Sequence, residues 1–168
     1  VYAGDRLRIG GIGEEYYELT ELLPHATNAV NLLEFGQELP PATLLPTRTL
    51  ADNSLSGIDG DGRLGEAWES VRVATGPSAI LAVDQYDWLI SDTRAWADSL
   101  IVDPIASLTY TRVVDEIVRM EGIMDYSFGH YRLVPLSDAG ITVLGAVGVE
   151  DELPGQRGPQ GFTQIAPN

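Results

Sequence analysis

Residues 108–149, LTYTRVVDEIVRMEGIMDYSFGHYRLVPLSDAGITVLGAVGV, are the best-patterned stretch of the chain and constrain its fold most. Val113, Val114, Ile117 and Val118 recur at spacings of one and four, with Met120 at the edge of the stripe. Asp115, Glu116 and Arg119 fall on the other face, and Asp115 and Arg119 form an i,i+4 pair. This spacing predicts a helix over 112–120, with Thr111 as its cap and Gly122 as its stop. Residues 123–128 read as a strand, and 131–136 as a second strand after a turn at Gly129. After a turn at 138–140, Ile141, Val143, Val147 and Val149 alternate as a third. The expected unit is a C-terminal helix packed on a small antiparallel meander.

The upstream half reads as attachments to that unit. Residues 2–9 fit a short strand. Residues 14–23 fit a helix with an acidic first turn and an apolar stripe of Tyr16, Leu19, Leu22 and Leu23, ended by Pro24. Residues 27–35 fit a second helix, stopped by Gly36. Residues 38–65 carry Pro40, Pro41 and Pro46, then Gly57, Gly60, Gly62 and Gly65, and hold no sustained period. So long an irregular run reads as an arm ordered by neighbouring chains. Residues 66–73 start as a helical turn and pass into a strand. Residues 79–83 are a short buried strand or helix start. Residues 84–100 read as a helix anchored by Trp88, Ile90 and Trp96. Residues after Glu150 are rich in Pro, Gly and Gln and form a tail. The run GQRGPQG within them is too short for a collagen-type helix. The expected fold class is therefore α+β: an N-terminal helical segment (1–37), an extended arm (38–65), an α+β core (66–150) and a tail (151–168).

Charge narrows the function classes. The 168-residue chain carries a formal charge of −15, which argues against nucleic acid and against anionic membranes as partners. All ten basic residues are arginine, a usage that fits either GC-rich coding or a salty host. Hydrophobic residues make up 44% of the chain, enough for a core. With no cysteine, thiolate chemistry, disulfides and Cys-ligated metals are excluded. No apolar run approaches the roughly 20 residues that span a bilayer. The first residues lack the pattern of a secretory leader, so an intracellularly made, soluble or assembly-bound protein is expected.

Candidate chemistry is sparse. The run GGIGEE at 10–15 resembles half of a phosphate-binding glycine loop, but the full motif is absent and a flexible turn is the expected reading. Asp59 and Asp61, with Asp52, Asn53 and Glu66 nearby, are candidate ligands for a hard cation. The EF-hand spacing is not met, and a solvated turn is expected instead. His25 and His130 are the two histidines, too few for a zinc site without further ligands. The carboxylate pairs Asp84 and Asp87, or Glu14 and Glu15, with Trp88 and Trp96 nearby, keep an acidic hydrolase as an alternative. No nucleophile elbow, H-E-x-x-H or G-K-[ST] motif occurs. No catalytic, cofactor-binding or metal-binding residue is assigned, and a non-enzyme is expected.

Three short motifs, Tyr110-Thr111-Arg112-Val113, Glu121-Gly122-Ile123-Met124-Asp125-Tyr126 and Ile141-Thr142-Val143-Leu144-Gly145-Ala146-Val147, carry a resemblance. They resemble the C-terminal end of the baseplate J-like family of phage contractile tails. That family ends in a helix, a turn into a strand and a final V-x-V-L-G-x-V strand. Its full members are longer and strand-rich upstream. The resemblance covers about a quarter of the chain and implies a structural subunit of a viral or phage tail assembly, a baseplate or adaptor ring. No enzymatic activity and no cofactor are implied. The implied partners are other virion or tail proteins and copies of itself, and the implied location is the virion, assembled in the host cytoplasm. The alternatives are another virion structural protein, such as a neck connector or capsid-decorating protein, and the acidic hydrolase.

Overall fold

The longest element is a strand of 12 residues, Glu116–Ser127. It begins inside the region whose spacing predicts a helix. Val118, Met120, Gly122 and Met124 are buried at every second position, while Arg119 faces solvent. That is the two-residue period of a strand. Val113, Val114, Ile117 and Val118 fit a helical stripe equally well over so short a run. Their β-branched side chains nonetheless suit a pleated surface better than a helix. The predicted helix start is a tight turn, in which Asp115 adopts a φ of 69° and Glu116 N–H donates to the Val113 carbonyl at 3.2 Å.

The structure, a computed structural model, describes residues 2–16, 19–51, 65–104, 108–127 and 129–146. In chain order its strands are β1 (Arg6–Ile9), β2 (Gly11–Tyr16), β3 (Leu19–Pro24), β4 (Val30–Glu34), β5 (Thr43–Leu45) and β6 (Arg72–Thr75). These are followed by β7 (Ser78–Val83), β8 (Trp88–Ser91), β9 (Leu100–Val102), β10 (Glu116–Ser127), β11 (His130–Val134) and β12 (Ile141–Ala146). The one α-helix among the described residues is α1 (Thr47–Leu50).

The expected α+β class is therefore corrected to a sheet-rich fold. The helix predicted over 14–23 is β2 and β3, and that over 27–35 is a turn followed by β4. The helix predicted over 84–100 is β8, a 3-10 turn at Trp96–Asp98 and the start of β9. In this last region the polar residues cap turns rather than helix faces. Asp84 accepts from the N–H groups of Tyr86 and Asp87, and Thr93 donates to Asp98. Asp, Ser and Thr compete with helix in this way. In the arm predicted over 38–65, residues 43–51 are part of the barrel: β5 runs parallel to β6, and α1 follows it.

Along one edge of β10 lie β12 and then β11; along the other lie β7 and then β6. β7 is antiparallel to β8, β8 antiparallel to β9, and β9 parallel to β11. The ring β7–β8–β9–β11–β10 closes on itself. With β6 and β7 counted as one first strand bent at Gly76 and Pro77, the order around the ring is 1-2-3-5-4-1. This is the five-stranded Greek-key closure of the OB architecture.

Val73, Ile80, Trp88, Ile90, Leu100, Val102, Val118, Met120, Met124 and Leu133 fill the interior. Leu50 of α1 joins the same cluster with no exposed surface. Thr47 fixes the helix by donating to the Asp92 carboxylate at 2.7 Å. Gly122 permits the closure. A Cβ there would sit 2.3 Å from the Val134 carbonyl oxygen, because the end of β11 passes directly against β10. The sequence pattern marks this glycine as a helix stop, whereas its role is close approach of two backbones.

Gly122→Ala is expected to destabilise the barrel by about 1–3 kcal/mol, because a backbone carbonyl must move. Gly76→Ala, with nothing within 4 Å of its Cβ position, is expected to be near neutral. Urea denaturation midpoints at unchanged slope measure both.

Candidate interaction surface

The N-terminal strands stand apart from the barrel in their burial. β1 pairs with β4 and β2 with β3, from Arg6 opposite Glu34 to Tyr16 opposite Leu19. The two pairs are separate two-stranded sheets linked at Gly10, whose N–H donates to the Ala29 carbonyl and whose carbonyl accepts from His25 N–H, so that together they make a ribbon over residues 6–34 with β1 and β2 as one side. The sequence folds this way because Gly10, Gly11, Gly13 and Pro24 interrupt any helix, while Ile, Tyr, Thr and Val populate the strands.

Among the described residues before Thr47, only Ala29 is buried. Ile12 is 68% exposed, Leu32 57% and Phe35 79%. Leu22, Leu23 and Leu33 are also exposed. Ile9, Val30 and Leu32 share one face, and Ile12 and Leu23 share the other. A free two-stranded ribbon is marginal in water, and apolar side chains on both faces make it more so. The Arg6–Glu34 ion pair, at the end away from the β2–β3 turn, spans 3.2 Å between well-exposed groups and adds little.

Among the described residues, a carboxylate of the barrel side holds the ribbon. Glu69, between a 3-10 turn and β6, accepts from Thr20 N–H of β3 at 2.8 Å. Its second oxygen is buried with no partner among the described residues. Burial raises the Glu69 pKa; the Thr20 hydrogen bond opposes this, and the nearby Glu66, Glu15 and Asp125 add to it. Beside it Tyr131 donates to Glu66, and burial together with that bond raises the phenol's pKa.

Among the described residues, the candidates read from the sequence serve as turn caps, ion-pair partners and strand residues. Asp84 is a turn cap whose backbone hydrogen bonds lower its pKa. Asp87 pairs with Arg132 at 3.0 Å, and its pKa is raised by burial and by Asp84. Arg132 also pairs with Asp103 at 2.9 Å, so this network ties β11 to the β7–β8 turn and to the end of β9. Glu15 accepts from the Thr20 hydroxyl, and Glu14 faces Glu21 across the ribbon.

Trp88 is buried, edge-on to Tyr110 and beneath the Arg112 guanidinium at 5.0 Å, whereas Trp96 is exposed. The half glycine loop at 10–15 is a strand and precedes no helix. His25 lies against Gly10, and His130 opens β11. Asp52, Asn53, Asp59 and Asp61 lie outside the described residues, and no group of three potential metal ligands occurs among the described ones.

Sequence reasoning missed the ribbon because its apolar residues were assigned to helix stripes. The signal available was the run of glycines before EEYYELTELLP. No protein-family model and no curated protein matches the chain.

The raised Glu69 pKa sets a sign. The folded state holds this proton more tightly than the unfolded chain, so the penalty is absent below the ordinary glutamate value and grows as pH rises through the folded pKa. Glu69→Gln is expected to be more stable than the parent at neutral pH, and the gap is expected to close as pH falls through that range. Thermal unfolding of both proteins across the acid range measures it.

Proposed function

We propose that this chain is a non-enzymatic contact module, a closed barrel that holds an apolar β-ribbon out to a protein partner. The observation that carries this reading is the ribbon itself: apolar side chains exposed on both faces of an element too thin to be stable alone. Catalysis by Asp84 and Asp87 is disfavoured, because one caps a turn and the other is held by Arg132. Nucleic acid is disfavoured as well. OB barrels that hold single strands combine a basic groove with exposed stacking aromatics. Here the formal charge is −15 and Trp88 is buried in the core.

A viral or phage tail assembly is the setting that residues 108–149 propose for such a module. The strand-rich upstream half agrees with the family pattern, and the strand at 116–127 departs from its terminal helix. A neck connector or a capsid-decorating protein would use the same ribbon in the same way.

Leu22→Ser, Leu32→Ser and Phe35→Ser are expected to leave the barrel's melting temperature within a few degrees of the parent. They are expected to reduce partner binding, or self-association, and the binding of hydrophobic dyes. Differential scanning calorimetry with a dye-binding titration makes the comparison. A loss of several kcal/mol in barrel stability would instead mean that these side chains pack on the chain's own core.

A further inference from the structure

We infer that the partner on the ribbon's free edge is a second copy of this chain, paired antiparallel along residues 6–16 about a two-fold axis at Gly11. The inference rests on the reading of the ribbon as a contact surface and names its occupant.

The first support is charge. In the β2–β3 register Glu14 lies directly opposite Glu21, a like-charge cross-strand pair that destabilises a ribbon standing alone. Arg8 lies opposite Asn31, which offers it no charge. Neither Arg8 nor Glu14 has an ion-pair partner among the described residues. Antiparallel pairing centred on Gly11 sets Arg8 of each copy opposite Glu14 of the other. Both carboxylate clashes and both unpaired guanidinium groups are then relieved by one symmetric contact, as a closed two-fold interface requires.

The second support is steric. Gly10, Gly11 and Gly13 leave Ile12 as the one side chain beyond Cα between Ile9 and Glu14. Gly11 is required within the chain, since a Cβ would lie 2.5 Å from the Leu23 carbonyl oxygen. Gly13 is not: its Cβ position meets nothing within 4 Å, and its φ is not in the left-handed region. A strand glycine with no internal cause fits the close approach of another backbone. No other strand among the described residues pairs with this edge, and neither proline nor lysine guards it. Pairing turns two marginal ribbons into one four-stranded sheet, which is past the threshold for independent stability.

Sedimentation equilibrium of the full chain, with its charge-reversal variants, tests this. The parent is expected to form a dimer as its concentration rises through the micromolar range. R8E and E14R are each expected to weaken that dimer at least about tenfold, since two symmetry-related pairs turn repulsive. The double variant R8E/E14R is expected to restore it, because the swapped charges again face each other. E14R is the discriminating case: it improves the ribbon's own pair with Glu21 and yet weakens the dimer, which a purely structural role does not produce. Near-ultraviolet circular dichroism from the buried Trp88 reports that each variant is folded.

A parent that is monomeric at every concentration overturns self-pairing. So does a dimer indifferent to the single reversals, or a double variant that does not recover. The contact-surface reading falls separately, through the serine variants.

Discussion

The pairing of β10 on both edges along its length is the constraint on which the rest of the fold depends. A single strand serves the ring twice, closing against β7 with its first half and against β11 with its second. That requires the backbones of β10 and β11 to meet at Gly122, where any side chain would strike the Val134 carbonyl. Once the ring closes, the interior from Ile80 to Leu133 is one buried apolar cluster, which Leu50 joins. Arg132 then ties three separate segments together by reaching Asp87, Asp103 and the Ser127 carbonyl. Such a network specifies one arrangement more than it adds stability, because desolvating the charges offsets most of their attraction.

The barrel and the ribbon differ in burial. The barrel encloses one apolar cluster, although Leu44, Trp96, Val143 and Leu144 stay exposed, and carboxylates such as Asp84 and Asp87 cap a turn or pair with arginine. The ribbon exposes its apolar residues and leaves Glu14 facing Glu21. Glu69 joins them by accepting from Thr20 N–H, and burial raises its pKa.

Parts of this were legible in the sequence. The alternation from Ile141 and the segment after Gly129 read as strands and are β12 and β11, while the run at 79–83, which fits either a strand or a helix start, is β7. The predicted helices failed. EEYYELTELL spans the ends of two strands, β2 and β3, instead of one element. Over nine residues, RVVDEIVRM fits the helical period and, at Val114, Val118 and Met120, the strand period as well. What decides between them is the partner strand, which lies far away in sequence. Glu121, for example, faces Ala74 of β6. Gly122 was visible as a constraint, but its cause, a carbonyl twelve residues later, was not. The ribbon was not legible, because its exposed leucines mimic a buried stripe.

Native-state hydrogen exchange, followed on the dilute and the concentrated chain, is the most direct measure of the claim that a self-sufficient barrel carries a partner-dependent ribbon. The account predicts that amides of β10 exchange slowly, with the global unfolding of the barrel, at both concentrations. It predicts that amides of β1 to β4 exchange orders of magnitude faster in the dilute chain and become protected on concentration. Ribbon amides that exchange together with β10 in the dilute chain would contradict it.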